Sequence, residues 1–519
     1  MHPLHPLHPF LRPYLRALQA LLPVTLVVVL IACTGSHRKA PSPPAELPDV
    51  PTAAVAAGAP AATPAATSAA ARATPSPALT AGLRPSGAPA ARATPARGSV
   101  PGSSGQATGT PGPSLSPGQL LRRDAVPTIQ ECIDAGIGPC YSPADIGAAY
   151  DIDALHASGI DGSGQSVVIV VSFGSPTLAD DVAAFSKAMG LPDADLQELY
   201  PLGSDFTGQP QSEISGWRGE TTLDAEWVHA IAPKARIVVL VSPVAETEGI
   251  VGLPEMLQLE QYALDNKLGT VISQSWGTSE DLLDDAEGLP VRQQWDAFYQ
   301  QATTAGITIV TAAGDHGALA DMRDEQPGTT RSADWPSAEP LVTTVGGTTL
   351  ALNADGSYGS ERVWADRSGA GGSGISRFYS QPANQSVLPD AIKQRLGGMR
   401  GEADVAALAS GLLLYFASGP GGTPHPSVVG GTSASTPIWA GIVALAGQQA
   451  GHGLGNINPT LYQLGAAGRC FHDVTAGSNA FRGDPGEPAM PGWDFPTGWG
   501  SPDAACLVPA LAAAGQNGQ

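Results

Sequence analysis

A serine in a glycine-rich turn is the first residue whose type and position suggest chemistry. The turn reads GGTSASTP over residues 430–437 and leads into the apolar segment PIWAGIVALAGQQ, a predicted helix that begins at Pro437. Proline is favoured in the first turn of a helix, and a helix N-terminus stabilises negative charge that develops beside it. Ser433 is therefore a candidate nucleophile, although serine, threonine and glycine are equally typical of a simple helix cap.

The sequence offers Ser433 a carboxylate base rather than a histidine. Subtilisins carry their base in an HG[TS] stretch, which this sequence lacks, and His229 and His472 are better explained as structural residues. The segment GETTLDAEWVHAIAP is predicted to be helical, and the spacing of Glu220 and Asp224 places both on one helix face. Two adjacent carboxylates tend to share a proton, because double ionisation costs Coulomb energy. The alternative is a solvated acidic face, but the apolar neighbours on this helix favour the pair.

A third motif, TAAGDHG, places Asp315 in a glycine-rich turn after an apolar strand. The three motifs, in their order along the chain, resemble those of the sedolisins, or serine-carboxyl peptidases, and the resemblance covers roughly residues 141–512. It implies that Ser433 is the nucleophile, Glu220 the general base and Asp224 the carboxylate that orients the base. Asp315, with a proton on its carboxyl group, would donate a hydrogen bond to the oxyanion. Such a site suits acid, where a histidine base is protonated and lost.

The same resemblance implies one calcium site in the stretch that begins CFHDVTAG and ends GWGSPD (470–503). Hard oxygen ligands of mixed type are what Ca²⁺ prefers. Two isolated aspartates in a loop are otherwise ordinary turn formers. The implied ligands are two carboxylates and three backbone carbonyls, namely those of Asp473, Asp494, Val474, Met490 and Gly492.

The elements that must position these residues alternate along the chain. Continuous apolar runs predict buried strands of a parallel sheet at 166–173, 236–242, 270–276, 307–313 and 341–347. Helical segments are predicted between them, at 178–189, 220–232, 254–266 and 290–305. This alternation predicts an α/β fold, and with the resemblance a subtilisin-like three-layer domain: a mainly parallel central sheet flanked by helices. Ligands of such folds bind at the carboxyl ends of the strands.

The N-terminal part of the chain is predicted to have no folded core. Residues 1–33 form an export signal whose last residues, LIAC, resemble a lipobox with Cys33 as the lipidation site, although a plain transmembrane anchor is an alternative. Residues 34–120 are rich in Ala, Pro and Thr and are predicted to be a disordered linker, without a folded prodomain. A short lead-in, 121–140, precedes the peptidase domain, 141–512.

The remaining cysteines support export. Once Cys33 is set aside, four remain, and an even number in an exported protein predicts two disulfides. Pairing of sequence neighbours, Cys132 with Cys140 and Cys470 with Cys506, is the simplest of three connectivities. A zinc site is not expected, since no CxxC spacing occurs.

The distribution of charged residues indicates which classes of partner the domain can bind. Forty-five of the 47 acidic residues follow residue 120, against 18 of the 26 basic ones, so the domain is strongly acidic. This charge excludes nucleic acid as a partner and suits a protein that works outside the cell in acid, although a merely soluble acidic surface is equally consistent. We expect a monomer that acts on peptides or proteins, reaching the membrane only through a lipid on Cys33.

These observations predict a secreted or surface-tethered, acid-acting serine-carboxyl peptidase that forms an acyl-enzyme on Ser433. It is expected to be an endopeptidase, with removal of tripeptides left open. One rival from another class is a catalytically silent cell-surface binding module on the same fold. A second, a conventional subtilisin-like or esterase hydrolase, lacks its histidine base and a GxSxG elbow.

Overall fold

The computed structural model describes residues 116–122, 125–246, 249–319, 331–417, 419 and 421–517. The predicted signal peptide, with Cys33, and the predicted linker up to residue 115 lie outside this range. At the end of the predicted linker, Pro117–Leu120 form a helical turn. Leu120 is buried in an apolar cluster with Cys140 and Leu413, and burial of this side chain holds the segment against the domain.

An eight-stranded sheet forms the centre of the domain. Its strands, labelled in chain order, are β1 (Ser166–Ser172), β2 (Asp195–Leu199), β3 (Arg236–Ser242), β4 (Val271–Gln274), β5 (Thr308–Ala312), β6 (Thr343–Leu352), β7 (Tyr358–Val363) and β8 (Val405–Leu408). Seven strands are parallel in the order β8-β6-β5-β4-β1-β3-β2, and β7 pairs antiparallel with β6. The predicted α/β, subtilisin-like fold class is confirmed.

The apolar side chains of the strands are buried, because helices cover both faces of the sheet. In β1 all residues after Ser166 are buried, and β3 is buried after Arg236. Two helices matter for the site: the acid helix, Gln211–Ile231, and the serine helix, Thr432–Ala450. The other α-helices are Ile129–Asp134, Pro143–Ala149, Ile152–Ala157, Leu178–Met189, Leu253–Asp265, Gly288–Thr304, Asp390–Leu396, Asn458–Ala466 and Ala504–Asn517, with 3₁₀ turns at Glu280–Leu283 and Ala383–Val387.

Short antiparallel pairs surround the sheet. The pair Ser410–Phe416 and His425–Gly430 forms a hairpin that leads directly into the serine helix. The others pair Gly374–Ser380 with Met399–Glu402, Thr278–Ser279 with Asp334–Trp335, and Phe471–His472 with Ser501–Pro502.

The serine helix differs from the prediction at its start. It begins at Thr432 rather than at Pro437, so Ser433 is its second residue and Pro437 lies inside it. Proline has no N–H, and in a helix that N–H would have bonded to the carbonyl four residues earlier, which is that of Ser433. The Ser275 hydroxyl instead lies 3.5 Å from the Ser433 carbonyl oxygen. A tertiary contact therefore lies beside the carbonyl to which Pro437 cannot donate.

Both predicted disulfides are confirmed. Cys132 is bonded to Cys140 and Cys470 to Cys506. The first closes the lead-in beside the hairpin, and the second ties the strand Phe471–His472 to the C-terminal helix. Within the described part of the chain, no helix combines the length and apolar character needed to cross a bilayer.

Candidate active site

The site lies where adjacent parallel strands end. Ser275 follows the last residue of β4, and Asp315 follows β5 after a two-residue turn. These two strands are neighbours in the sheet, so their carboxyl ends meet at one edge. Contacts of Ser275 and Asp315 with Ser433 and Thr432 place the N-terminus of the serine helix at this edge. The acid helix packs against the serine helix and brings its carboxylates to the same place.

The acid helix buries both members of the predicted carboxylate pair. Glu220 is 1% exposed and Asp224 is fully buried. The Ser275 hydroxyl donates to Oδ1 of Asp224 at 2.7 Å. Among the described residues, Oε1 of Glu220 and Oδ2 of Asp224 have no hydrogen-bond partner. The pair is therefore enclosed, and no cation of the described residues forms an ion pair with it, which is an unusual environment for two acids.

Burial dominates the electrostatics of this pair. It raises the pKa of Asp224 to about 8, and it raises the pKa of Glu220 well above its ordinary value, with the charge of Asp224 adding to the effect. Hydrogen bonds to the Ser433 and Ser275 hydroxyls act in the opposite direction on the pKa of Glu220. The pair therefore holds at least one proton throughout the acid range. The hydrogen bonds from the two hydroxyls favour the ionised form of Glu220.

Ser433 lies between the acid helix and the end of β4. Its hydroxyl interacts with the carboxyl of Glu220 and lies 3.5 Å from the carbonyl oxygen of Ser275. As the second residue of the helix it also lies in the positive field of the helix N-terminus. The predicted nucleophile and base are thus brought together from positions more than two hundred residues apart.

Asp315 is fixed against the start of the serine helix. Its Oδ1 accepts hydrogen bonds from the backbone N–H and the hydroxyl of Thr432, both at 2.8 Å. Gly431 has a φ of 137°, and a Cβ at this residue would lie 2.8 Å from Oδ2 of Asp315. Gly314, with a φ of 98°, likewise leaves no space for a side chain beside Asp334. The two glycines that flank these motifs are therefore required by close packing and by backbone conformation.

Two residues of the site were missed from sequence. Ser275 bridges Asp224 and the serine helix, and Thr432 holds Asp315. The only signal for Ser275 is its position at the carboxyl end of a predicted strand. Thr432 lies in the nucleophile motif, but its role depends on a partner that is distant in sequence. The histidine on the acid helix, His229, is structural as expected: it is buried and its Nε2 contacts the Pro192 carbonyl at 2.9 Å.

Four of the five predicted calcium ligands lie close together in the structure. Asp473 accepts a hydrogen bond from the Gly492 N–H, and Asp494 accepts one from the Met490 N–H, both at 2.9 Å. Asp494 is fully buried, which raises its pKa to about 7, and the charge of Asp473 contributes to this shift. No group of three or more acidic, histidine or cysteine side chains that could hold a metal occurs among the described residues. Two neighbouring carboxylates, with backbone carbonyls of the same loop, would be a donor set of the kind that Ca²⁺ prefers.

Comparisons with known proteins agree with this geometry. Kumamolisin from Bacillus sp. (strain MN-32) is 32% identical over 404 residues, which cover 77% of this chain and 68% of kumamolisin. The chain belongs to the sedolisin family. Sedolisin from Pseudomonas sp. (strain 101) is 29% identical over 383 residues, covering 72% of this chain and 61% of sedolisin. Human tripeptidyl-peptidase 1 is 30% identical over 356 residues, with coverage of 62% and 58%.

Structure and profile point to the same family. The structure of Pseudomonas sedolisin, a serine-carboxyl proteinase, complexed with two molecules of pseudo-iodotyrostatin, superposes with a TM-score of 0.61 at 28% identity. The superposition covers 72% of this chain and 99% of that one. The profile of the Subtilase family, Peptidase_S8, matches residues 216–459. This sedolisin-family chain is thus related to serine-type peptidases, whose substrates are peptides or proteins.

Proposed function

We propose that this member of the sedolisin family is an exported peptidase that hydrolyses peptide bonds in acid through an acyl-enzyme on Ser433. The single observation that supports this most strongly is that Ser433, at the start of the serine helix, faces the buried pair Glu220 and Asp224, for which the described residues provide no cation. The silent binding module is not favoured, because a module without catalysis has no use for two enclosed acids beside a serine hydroxyl. Buried carboxylates without a cation destabilise the fold, and a catalytic role accounts for that cost.

In the proposed acylation, Ser433 Oγ attacks the carbonyl carbon of the scissile peptide bond. The hydroxyl proton passes to the carboxylate of Glu220, while Asp224 retains its proton and orients Glu220. The protonated Glu220 then donates this proton to the leaving amine as the carbon–nitrogen bond breaks, which leaves an ester on Ser433. Water attacks the ester with Glu220 again acting as base, and Ser433 is restored.

Asp315 is the proposed donor to the oxyanion of each tetrahedral intermediate. Its Oδ1 already accepts two hydrogen bonds from Thr432, which favours a proton on Oδ2. A carboxylic acid can donate a hydrogen bond only while it is protonated, so this role requires acid. The N-terminus of the serine helix adds to the stabilisation of the oxyanion.

The remaining predictions complete the proposal. Ca²⁺ would be held by Asp473, Asp494 and the carbonyls of Val474, Met490 and Gly492, where it would neutralise two acids and stabilise the loop between them. The signal sequence would export the chain, and a lipid on Cys33 would retain the domain near the cell surface on the linker. An endopeptidase is our primary proposal, and the tripeptidyl-peptidase names among the relatives keep removal of tripeptides as the second form of the activity.

An assay of the purified full chain on a denatured protein between pH 2.5 and 8 tests the proposal. We expect cleavage that is strongest in acid and is abolished in Ser433→Ala. A peptide with a blocked N-terminus distinguishes the two modes, since only an endopeptidase cleaves it. Absence of cleavage in acid, or cleavage that survives Ser433→Ala, would overturn the proposed function.

A further inference from the structure

A fully buried asparagine outside the catalytic motifs holds the backbone behind the oxyanion turn, residues 314–317. Asn479 lies in the loop between the strand Phe471–His472 and the segment 490–494. Its Nδ2 donates to the Gly371 carbonyl and to the Ser373 hydroxyl, both at 2.8 Å. Its Oδ1 accepts from the Glu487 N–H at 2.6 Å. Both donor hydrogens and the acceptor of the side chain are therefore used.

The segment that Asn479 holds, residues 370–373, is paired with the oxyanion turn. The Ala370 N–H donates to the Asp315 carbonyl at 2.9 Å, and the Gly372 N–H donates to the Gly314 carbonyl at 2.7 Å. Further along, the Ser373 N–H donates to the Gly317 carbonyl at 3.1 Å. Asn479 is thus separated from the backbone of Asp315 by a single layer of hydrogen-bonded chain.

Close packing leaves this layer little freedom to move. A Cβ on Gly372 would lie 1.7 Å from the Ala313 carbonyl oxygen, and a Cβ on Gly317 would lie 2.5 Å from the Asn479 carbonyl oxygen. Segments that contact at backbone distance transmit a shift of one to the other, because no side chain can absorb it.

Ion pairs also fix the loop that contains Asn479. The Glu487 carboxyl forms an ion pair with Arg331 at 2.7 Å and a second with Arg395. The Arg331 guanidinium also donates to Asp484. These ion pairs hold the loop in place, and the Asn479 side chain on this loop bonds to the segment behind the oxyanion turn.

We propose that Asn479 is a positioning residue for the oxyanion site: through residues 370–373 it sets the place of Asp315, and the loop 474–490 is part of the catalytic apparatus. This inference rests on the proposed function. A donor to an oxyanion must be placed to within a fraction of an ångström, and misplacement by about 1 Å can cost about 10²-fold in rate. Loss of the Asn479 hydrogen bonds permits a smaller shift, so a loss of about 10-fold in kcat is expected.

The test compares a peptide aldehyde with the matching peptide alcohol as inhibitors of Asn479→Ala. The Ser433 hydroxyl adds to the aldehyde carbon, and the resulting hemiacetal oxygen occupies the oxyanion position, whereas the alcohol cannot form this adduct. We expect kcat to fall about 10-fold with KM within about 2-fold of wild type. Aldehyde inhibition should weaken about 10-fold and alcohol inhibition should be unchanged.

Asn458→Ala is the matched control. Asn458 is equally buried, and its Nδ2 donates to the Val342 carbonyl at 2.7 Å while its Oδ1 accepts from the Thr343 hydroxyl at 2.8 Å. These contacts lie at the amino end of β6, and neither partner belongs to the oxyanion turn or to residues 370–373. We expect this variant to lower the melting temperature without changing the ratio of aldehyde to alcohol inhibition.

Ser373→Ala serves if Asn479→Ala does not fold, because it removes one hydrogen bond and keeps the Gly371 contact. It should weaken aldehyde inhibition by about 3-fold. An unchanged inhibition ratio in the Asn479 and Ser373 variants, or an equal change in the Asn458 control, would overturn the inference. Wild-type enzyme that cleaves no substrate would overturn the proposed function itself, so the two failures are distinguishable.

Discussion

Two buried pairs in this protein share a separation of four residues but differ in the groups that they contact. Glu220 and Asp224 on the acid helix are two acids, each with one oxygen that has no hydrogen-bond partner among the described residues. Arg400 and Asp404 are equally buried, but the guanidinium donates to both carboxylate oxygens at 2.9–3.0 Å. Asp404 also accepts from the Tyr462 hydroxyl at 2.8 Å. Spacing and burial therefore do not reveal a role, whereas the partner does: a cation makes a structural pair, and a serine hydroxyl makes a candidate catalytic one.

The largest effect is expected from Glu220→Gln. An amide cannot accept the Ser433 proton, so kcat should fall by about 10⁴-fold while the fold is retained. Steady-state kinetics at the acid optimum measure this. Glu226→Gln is the matched control, because Glu226 lies on the same helix and is equally buried but contacts the Tyr415 N–H instead of the serine. Comparable losses in both variants would show that burial of an acid on this helix, and not its position beside Ser433, accounts for the effect.

Glu260 extends the comparison to a buried acid that has neither a cation nor a serine as a partner in the described part of the chain. Burial raises its pKa to about 8, and Gln274 donates to it at 2.6 Å. A raised carboxyl pKa gives stability that is fully present below the unfolded value of about 4.5 and is lost as pH rises toward 8. Glu260→Gln should therefore leave stability at pH 4 unchanged and raise it at pH 8 by up to about 5 kcal/mol.

Urea unfolding of wild type and Glu260→Gln at both pH values measures this difference. In the variant, the new amide can donate to Oε1 of Gln274, which has no partner among the described residues. Activity in acid should be unchanged. Equal stabilisation at pH 4 and pH 8 would contradict the assigned pKa, and loss of activity would contradict a purely structural role.

Asp404→Asn should show the opposite pattern to Glu220→Gln. It leaves the Arg400 charge buried without its counter-ion, which typically costs about 3–5 kcal/mol of unfolding free energy. The kcat of the folded fraction should stay within about 2-fold of wild type. Chemical denaturation and active-site titration measure the two quantities. Asp390→Asn is the control, since its pair with Lys393 is exposed and should leave the melting temperature unchanged.

The smallest effect is expected from the predicted calcium site, where two acids would be neutralised by a metal. Removal of Ca²⁺ with a chelator at pH 5 should lower the melting temperature by an amount that corresponds to about 3 kcal/mol, the stabilisation by a ligand at roughly 100 times its Kd. Scanning calorimetry with and without added Ca²⁺ measures this. Asp473→Asn should abolish the response, and a wild-type chain indifferent to chelation would contradict the site.

Much of the fold was predictable because it is encoded locally. Runs such as SVVIVVS have a continuous β-branched apolar centre, which favours a strand covered on both faces, and five strands of the central sheet were found in this way. Strands β2, β7 and β8 were not predicted: β2 is a half-exposed edge strand, β7 alternates between exposed and buried residues at its end, and β8 has only four residues. Such segments become strands because a neighbour pairs with them, which a local pattern does not contain.

The sequence by itself determined the chemical groups: a serine in a glycine turn, two acids one helical turn apart, an aspartate after a strand, and two neighbouring pairs of cysteines. Each of these is a matter of residue type and short spacing. Tertiary structure alone decided what they contact. It placed Ser275 between Asp224 and the serine helix, started that helix before Pro437, and set Asn479 behind the oxyanion turn. These outcomes depend on packing between distant segments. The free energy of such contacts depends on both segments and cannot be predicted from either one alone.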